Sequence, residues 1–177
     1  VGFDLYVRMV GEAVQAFKGE LPEEQAEVKI DLPVDAHLPH DYVSSERLRL
    51  EAYRRLSEAV DDAAVDEVRA ELEDRYGAPP EPVENLLLVA RFRALARSAG
   101  LSEVTIQGNH VRFTPVSLAD WQRVRLQRLY PKSLVKDAVN TMLVPRPSTA
   151  PIGGKPLRGV ELLTWAHKII TDVLNPE

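Results

Sequence analysis

The chain is 177 residues long, 45% hydrophobic and 28% charged, carries a formal net charge of −5 and contains no cysteine. That length and apolar fraction can bury an ordinary core, whereas the negative balance argues against a module whose whole surface grips phosphate backbone. The missing thiols exclude a disulfide frame, a cysteine nucleophile and a thiolate metal site; no apolar run approaches the roughly 20 residues that span a bilayer and no signal peptide is visible, so a soluble, cytoplasmic protein is expected.

The chain opens at Val1 directly in an amphipathic pattern, from which a piece of something longer is expected. Phe3, Tyr6, Val7, Val10, Val14 and Phe17 recur at spacings of three and four, predicting a helix stopped by Gly19 and Pro22. Val28, Ile30 and Leu32 then alternate with Lys29 and Asp31, a half-buried strand ending at Pro33. After a loop over 35–43, three helices follow in close order. Ser45 is placed to cap one carrying Leu48, Ala52, Leu56, Ala59 and Val60, and Asp62 to cap the next. The third starts near Pro82 and ends at Gly100, a glycine suited to the position just past a helix. Its apolar residues leave only a narrow polar strip at Arg93 and Arg97, so it is expected to be the central buried helix.

From Glu103 the period changes to two. Val104 and Ile106, the Gly108-Asn109 pair, then Val111 and Phe113 predict a hairpin with a glycine-first type II′ turn. Ser117-x-x-Asp120 is read as opening a helix through Trp121, Val124, Leu126 and Leu129, closed by Pro131. A second hairpin is expected over 134–144, turning near Ala138 to Asn140, then a proline-rich loop over 145–156. A last helix runs from about Leu157 to Leu174 with Val160, Leu163, Ala166, Ile169, Ile170 and Val173 on one face. The expectation is an α+β fold, about six helices packed around a few short, mainly antiparallel strands.

Little in this pattern carries catalysis. Gly153-Gly154-Lys155 lacks the upstream strand, the spacing and the Ser or Thr of a phosphate-binding loop and reads as plain loop. Asp35, His37, His40 and Asp41 fall in one loop, but a proline between the histidines gives them no common face and no zinc spacing is present, so no metal site is expected. His110 and His167 have no adjacent nucleophile or carboxylate. Arg123, Arg125, Arg128, Lys132 and Lys136, with Trp121 and Tyr130 interleaved, form a basic cluster able to contact nucleic acid. Because Trp121, Val124 and Leu129 fall at core spacing, the aromatics are expected to be buried and the arginines to form a solvated face. The acidic helix around A-E-L-E-D-R-Y-G-A-P-P is more informative: at about 100° per residue Val65, Val68, Leu72 and Tyr76 share one stripe while Glu67, Glu71 and Asp74 share the opposite one. Such a row is either solvated or docks on an arginine-rich surface.

The run R-L-R-L-E-A-Y-R-R-L from Arg47 and the run E-L-E-D-R-Y-G-A-P-P-E-P-V-E-N-L-L-L-V-A-R-F-R-A-L-A from Glu71 resemble the C-terminal domain of the bacterial transcription-repair coupling factor (Mfd) family. The opening G-F-D-L-Y-V-R-M-V-G-E-A-V resembles the segment that leaves the translocase motor of that family. The resemblance implies a connecting helix and linker over 1–26 and a regulatory domain over 27–177. It implies no catalytic site of the domain's own; the residues add the expectation of no cofactor and no membrane, and the acidic balance disfavours DNA contact by this domain. The resemblance further implies a clasp that packs on the N-terminal UvrB-like module of the same protein and covers its UvrA-binding surface until the motor engages stalled RNA polymerase. Glu71 and Asp74 match the family's contact positions, and Glu67 extends them by the face they share. The alternative is a nucleic-acid or RNA polymerase contact through Arg123, Arg125, Arg128 and Lys136.

Overall fold

Alternating apolar residues and two tight turns build a sheet, and three amphipathic segments in close succession build a helical layer. In the computed structural model, which describes residues 27–174, these are β1 (Lys29–Asp31), α1 (Glu46–Glu58), α2 (Asp62–Tyr76), α3 (Glu81–Ser98), β2 (Glu103–Gln107), β3 (His110–Thr114), α4 (Asp120–Leu129), β4 (Leu134–Lys136), β5 (Thr141–Pro145) and α5 (Gly159–Ile169). The fold is α+β, with five α-helices among the described residues and a mixed five-stranded sheet. The expected helix over the first residues lies outside the described part of the chain.

The described residues divide into two compact units. One is Asp35–Ala94; the other joins Val28–Val34 to the residues from Leu95 onward.

In the first unit, Ser45 caps α1 by accepting the Leu48 N–H at 3.3 Å, as expected, but the helix ends at Glu58 and Val60, expected on its apolar face, is 55% exposed beyond it. The cap of α2 is Asp61, which accepts the Ala64 N–H at 2.9 Å, and Asp62 is the first helical residue instead. Two adjacent aspartates satisfy the same capping preference, and the side chain with extended backbone wins. α2 stops where Gly77 takes φ +87°, a left-handed conformation that costs glycine little. The Tyr42 hydroxyl donates to the Gly77 carbonyl at 2.9 Å and lies 3.2 Å from that of Leu72, so it covers carbonyls the helix end would leave unpaired. Pro80 then receives the Val83 and Glu84 N–H groups, both at 3.0 Å, to start α3. Along α3, Val83, Leu86, Ala90, Phe92 and Ala96 are fully buried. Arg93 is buried with them at 4% exposure instead of lining a solvated strip. The polar face in the first unit is carried by Arg91, which pairs with Asp62 and Asp66 of α2.

In the second unit the strand order is β1-β2-β3-β5-β4, with β1 parallel to β2 and every other pair antiparallel. One register row crosses the whole sheet through Ile30, Val104, Phe113, Met142 and Val135. Its first four members are at most 3% exposed, so the sheet has a continuous apolar seam. The β2–β3 turn has φ +58° at Gly108 and a negative φ at Asn109, in keeping with the glycine-first turn. The second hairpin also forms, with Asn140 in the left-handed region after a short 3₁₀ turn. The last helix starts at Gly159, not Leu157, and widens into a π turn over Ile170–Leu174; Leu163, Ala166, Ile169, Ile170 and Val173 are buried as expected, while Val160, in its first turn, is only half-buried.

Candidate functional site

α2 presents two faces with opposite chemistry. Val65, Val68 and Leu72 are buried, while Glu67, Glu71 and Asp74 are all exposed. The structure thus brings the three predicted carboxylates onto one solvent-facing stripe, and it adds their counter-ions. Glu71 is paired with Arg55 of α1 and has Arg75, one turn on, at 3.6 Å. Glu73 holds Arg69 at 2.7 Å, and Arg69 also reaches Glu84 of α3 at 2.6 Å. Glu67 and Asp74 make no ion pair among the described residues. The Glu71–Arg75 spacing of four was legible in the sequence, but Arg55 was not, since it arrives through the packing of α1 on α2. The shallow cleft between α1 and α2, lined by Ala52, Arg55, Val68, Glu71 and Tyr76, measures about 20 Å³, room for a water and for no organic ligand.

The basic cluster is arranged differently from the expectation. α4 turns Gln122, Leu126 and Tyr130 inward, at spacings of four. Gln122 donates to the Val173 carbonyl at 3.0 Å, Leu126 is fully buried, and the Tyr130 hydroxyl meets Asp172 at 3.2 Å with its ring edge-on to Trp165. Burial and the Asp172 carboxylate push the Tyr130 phenol up to about 12. Trp121, Val124 and Leu129, expected in the core, are 54%, 69% and 41% exposed. The side of a helix that becomes core is chosen by what packs on it, and here two polar residues with hydrogen-bond partners at Val173 and Asp172 take that side. Arg123 is committed to the fold: it binds Asp137 through both guanidinium nitrogens at 2.6 and 3.1 Å. Arg125 is half-buried, and Arg128 and Lys136 are exposed.

The histidine loop holds one contact, His37 Nδ1 to Asp35 Oδ1 at 2.9 Å. Among the described residues no group of three His, Asp or Glu side chains is placed to share a metal ion. No helix among them is long and apolar enough to cross a membrane.

Comparison with known proteins gives these faces a context. The family model described as the TRCF domain matches residues 32–124, a span that contains the Arg47-to-Gly100 motifs. The transcription-repair-coupling factor of Mycobacterium bovis is 45% identical over 183 residues, covering 97% of this chain and 15% of the relative. That of Myxococcus xanthus is 31% identical over 175 residues, covering 98% and 14%. The chain therefore spans about 15% of the length of these relatives. A crystal structure of the C-terminal domain of a transcription-repair coupling factor superposes with a TM-score of 0.61 at 18% identity, over 86% of this chain and 97% of that one, a likeness of fold. With more than half of its residues matched by the family model, the chain belongs to the TRCF domain family.

Proposed function

We propose that this chain is a regulatory clasp without a catalytic site of its own, in which the outer face of α2 docks on an arginine-bearing surface of the UvrB-like module of the parent coupling factor. In the docked state it covers the surface that UvrA must reach, and it is released when the motor engages stalled RNA polymerase. The observation that carries the reading is the exposed row Glu67, Glu71 and Asp74 on a helix whose end is pinned by Gly77 and Tyr42. A rigid corner holds the carboxylates without further ordering cost, which favours binding. Two of the three have no counter-ion of their own among the described residues, so pairing with a partner's guanidinium groups forfeits no contact there. A releasable clasp also needs a modest interface, because an engaged state can shift the equilibrium only by its differential affinity. Exposed charge pairs at about 0.2–1 kcal/mol each suit that demand. The test is calorimetric titration against the isolated UvrB-like module at two salt concentrations. Salt-sensitive binding that weakens at least about tenfold in Glu71→Arg/Asp74→Arg supports the clasp, and unchanged binding moves the interface elsewhere.

A second reading, nucleic-acid or polymerase contact through Arg123, Arg125, Arg128 and Lys136, is favoured by one observation: Trp121 and Val124 face solvent beside Arg128 at spacings of three and four. Exposed tryptophan next to arginine is the composition of binding hot spots and of base-stacking surfaces. Arg123 contributes little to it while Asp137 holds it. Trp121→Ala/Arg128→Gln should abolish any salt-dependent DNA binding that belongs to this face.

A further inference from the structure

The proline-rich loop that reads as a plain connector is a closed structure carrying an uncompensated positive cleft. Its two ends are laced together by Leu157 N–H to the Pro147 carbonyl at 2.8 Å, Thr149 N–H to the Lys155 carbonyl at 2.9 Å, and Lys155 N–H to the Thr149 hydroxyl at 3.0 Å. A side chain at Gly154 would place Cβ 2.4 Å from the Ala150 nitrogen, so the loop closes on itself only with glycine there. The Gly159 N–H then ties the loop's exit to the Pro33 carbonyl at 2.8 Å, just past the end of β1. Between these segments lies a surface cleft of about 620 Å³, walled by residues such as Ile106 and Pro156 and lined by Arg146, Lys155, Arg158 and a single acid, Asp31. The cleft is open to solvent and has room for a phosphate group.

Three cations and one acid leave this cleft net positive. Arg54, Arg55, Arg69, Arg91, Arg112 and Arg123 each meet a carboxylate within ion-pair distance, whereas other cations, Arg128 and Lys136 among them, stand singly on the surface. Arg146, Lys155 and Arg158 meet none among the described residues, although the chain as a whole is acidic. Arg146 is held in place by the Leu157 carbonyl, which accepts from its Nε at 3.3 Å and Nη2 at 3.1 Å. Like charges lining one cleft with a single carboxylate among them leave it net positive and favour entry of an anion. Two guanidinium forks and an ammonium exceed what one carboxylate needs and match the several oxygens of a phosphate. The N-terminus of α5, which has no side-chain cap, adds partial positive charge beside Arg158.

We propose that this cleft is a phosphate-binding site, independent of the α2 clasp, and that Lys155 and Arg158 supply its main contacts with Arg146 as the fixed third cation. The phosphate arrives either as a free phosphate group or on a polynucleotide backbone. The test titrates the chain with inorganic phosphate, sodium acetate, a glutamate-rich peptide and a short DNA duplex, following the backbone amide resonances of Lys155, Arg158 and Gly159. The expected result is saturable shifts with phosphate and no saturable shift with acetate. Affinity should fall at least about tenfold in Lys155→Gln/Arg158→Gln, two exposed positions whose loss leaves the lacing intact. Arg128→Gln on α4 should titrate like wild type. Tighter binding of the duplex, with a log–log salt slope that flattens by about 0.9 per removed cation, assigns the backbone as the source. Duplex binding no tighter than phosphate assigns the free group. Acetate or the peptide shifting the same amides as strongly as phosphate, or a double variant that titrates like wild type, overturns the proposal.

Discussion

Asp137 converts Arg123 from a candidate contact residue into a bracket between α4 and the β4–β5 hairpin. The hydrogen bonds from Arg123, and its charge, hold the Asp137 carboxyl below its ordinary 3.8. A carboxyl depressed in the folded state contributes stability that is complete above the unfolded value and disappears as the pH falls through the folded one. Asp137→Asn should therefore lower the melting temperature at neutral pH, and the difference from wild type should shrink as the pH is taken through and below 3.8. A difference that persists undiminished in acid would mean the pair acts through packing alone. At the same scale, Trp121 shows where pattern reading reached its limit. Spacings of 121, 124 and 129 mark an apolar stripe, but Gln122 and Tyr130 have partners on the other side in Val173 and Asp172, and hydrophobicity alone cannot register a hydrogen bond to a residue about 50 positions away.

At the scale of elements, α2 depends strongly on its ends. Its buried stripe is short, Val65, Val68 and Leu72, so capping contributes a large share of what keeps the last turn formed. Tyr42→Phe removes the hydroxyl from the Gly77 and Leu72 carbonyls while leaving the ring beside Tyr76, 5.7 Å between centroids. The expected cost is about 1 kcal/mol in urea unfolding, with faster amide exchange confined to the C-terminal turn of α2. Exchange that rises evenly over α1, α2 and α3 would place the effect in the core instead. The helix boundaries themselves were largely readable, because caps and stops are local: Ser45, Gly77, Pro80 and Gly100 act on neighbours within a few residues. Asp61 in place of Asp62 was a choice between two equivalent side chains.

For the whole molecule the decisive prediction concerns the clasp. Glu71 serves both the fold, through Arg55, and the proposed interface, so its reversal mixes two effects. Asp74 serves no ion pair among the described residues. Asp74→Arg alone should weaken binding to the UvrB-like module and leave the melting temperature within about two degrees, since an exposed, unpaired charge moves stability by no more than about 0.5 kcal/mol. Arg55→Ala frees Glu71 and should leave that binding equal or stronger. Weakened binding in Arg55→Ala, with Asp74→Arg neutral, would locate the contact on α1.

The amino-acid sequence by itself determined the element types, most of their ends, the α+β class, and the family motifs between Arg47 and Gly100, since periodicity, capping and turn chemistry are properties of neighbouring residues. It also placed Glu67, Glu71 and Asp74 on one face, because helical geometry alone does that. The tertiary structure decided what no local rule encodes. It paired β1 parallel to β2 across three intervening helices, gave Glu71 its Arg55 and Arg123 its Asp137, turned Trp121 out to solvent, and gathered Arg146, Lys155 and Arg158 around one cleft. Each of these depends on which elements pack together, and the free energy that selects them comes from burial and charge pairing, which exist only once the elements have packed.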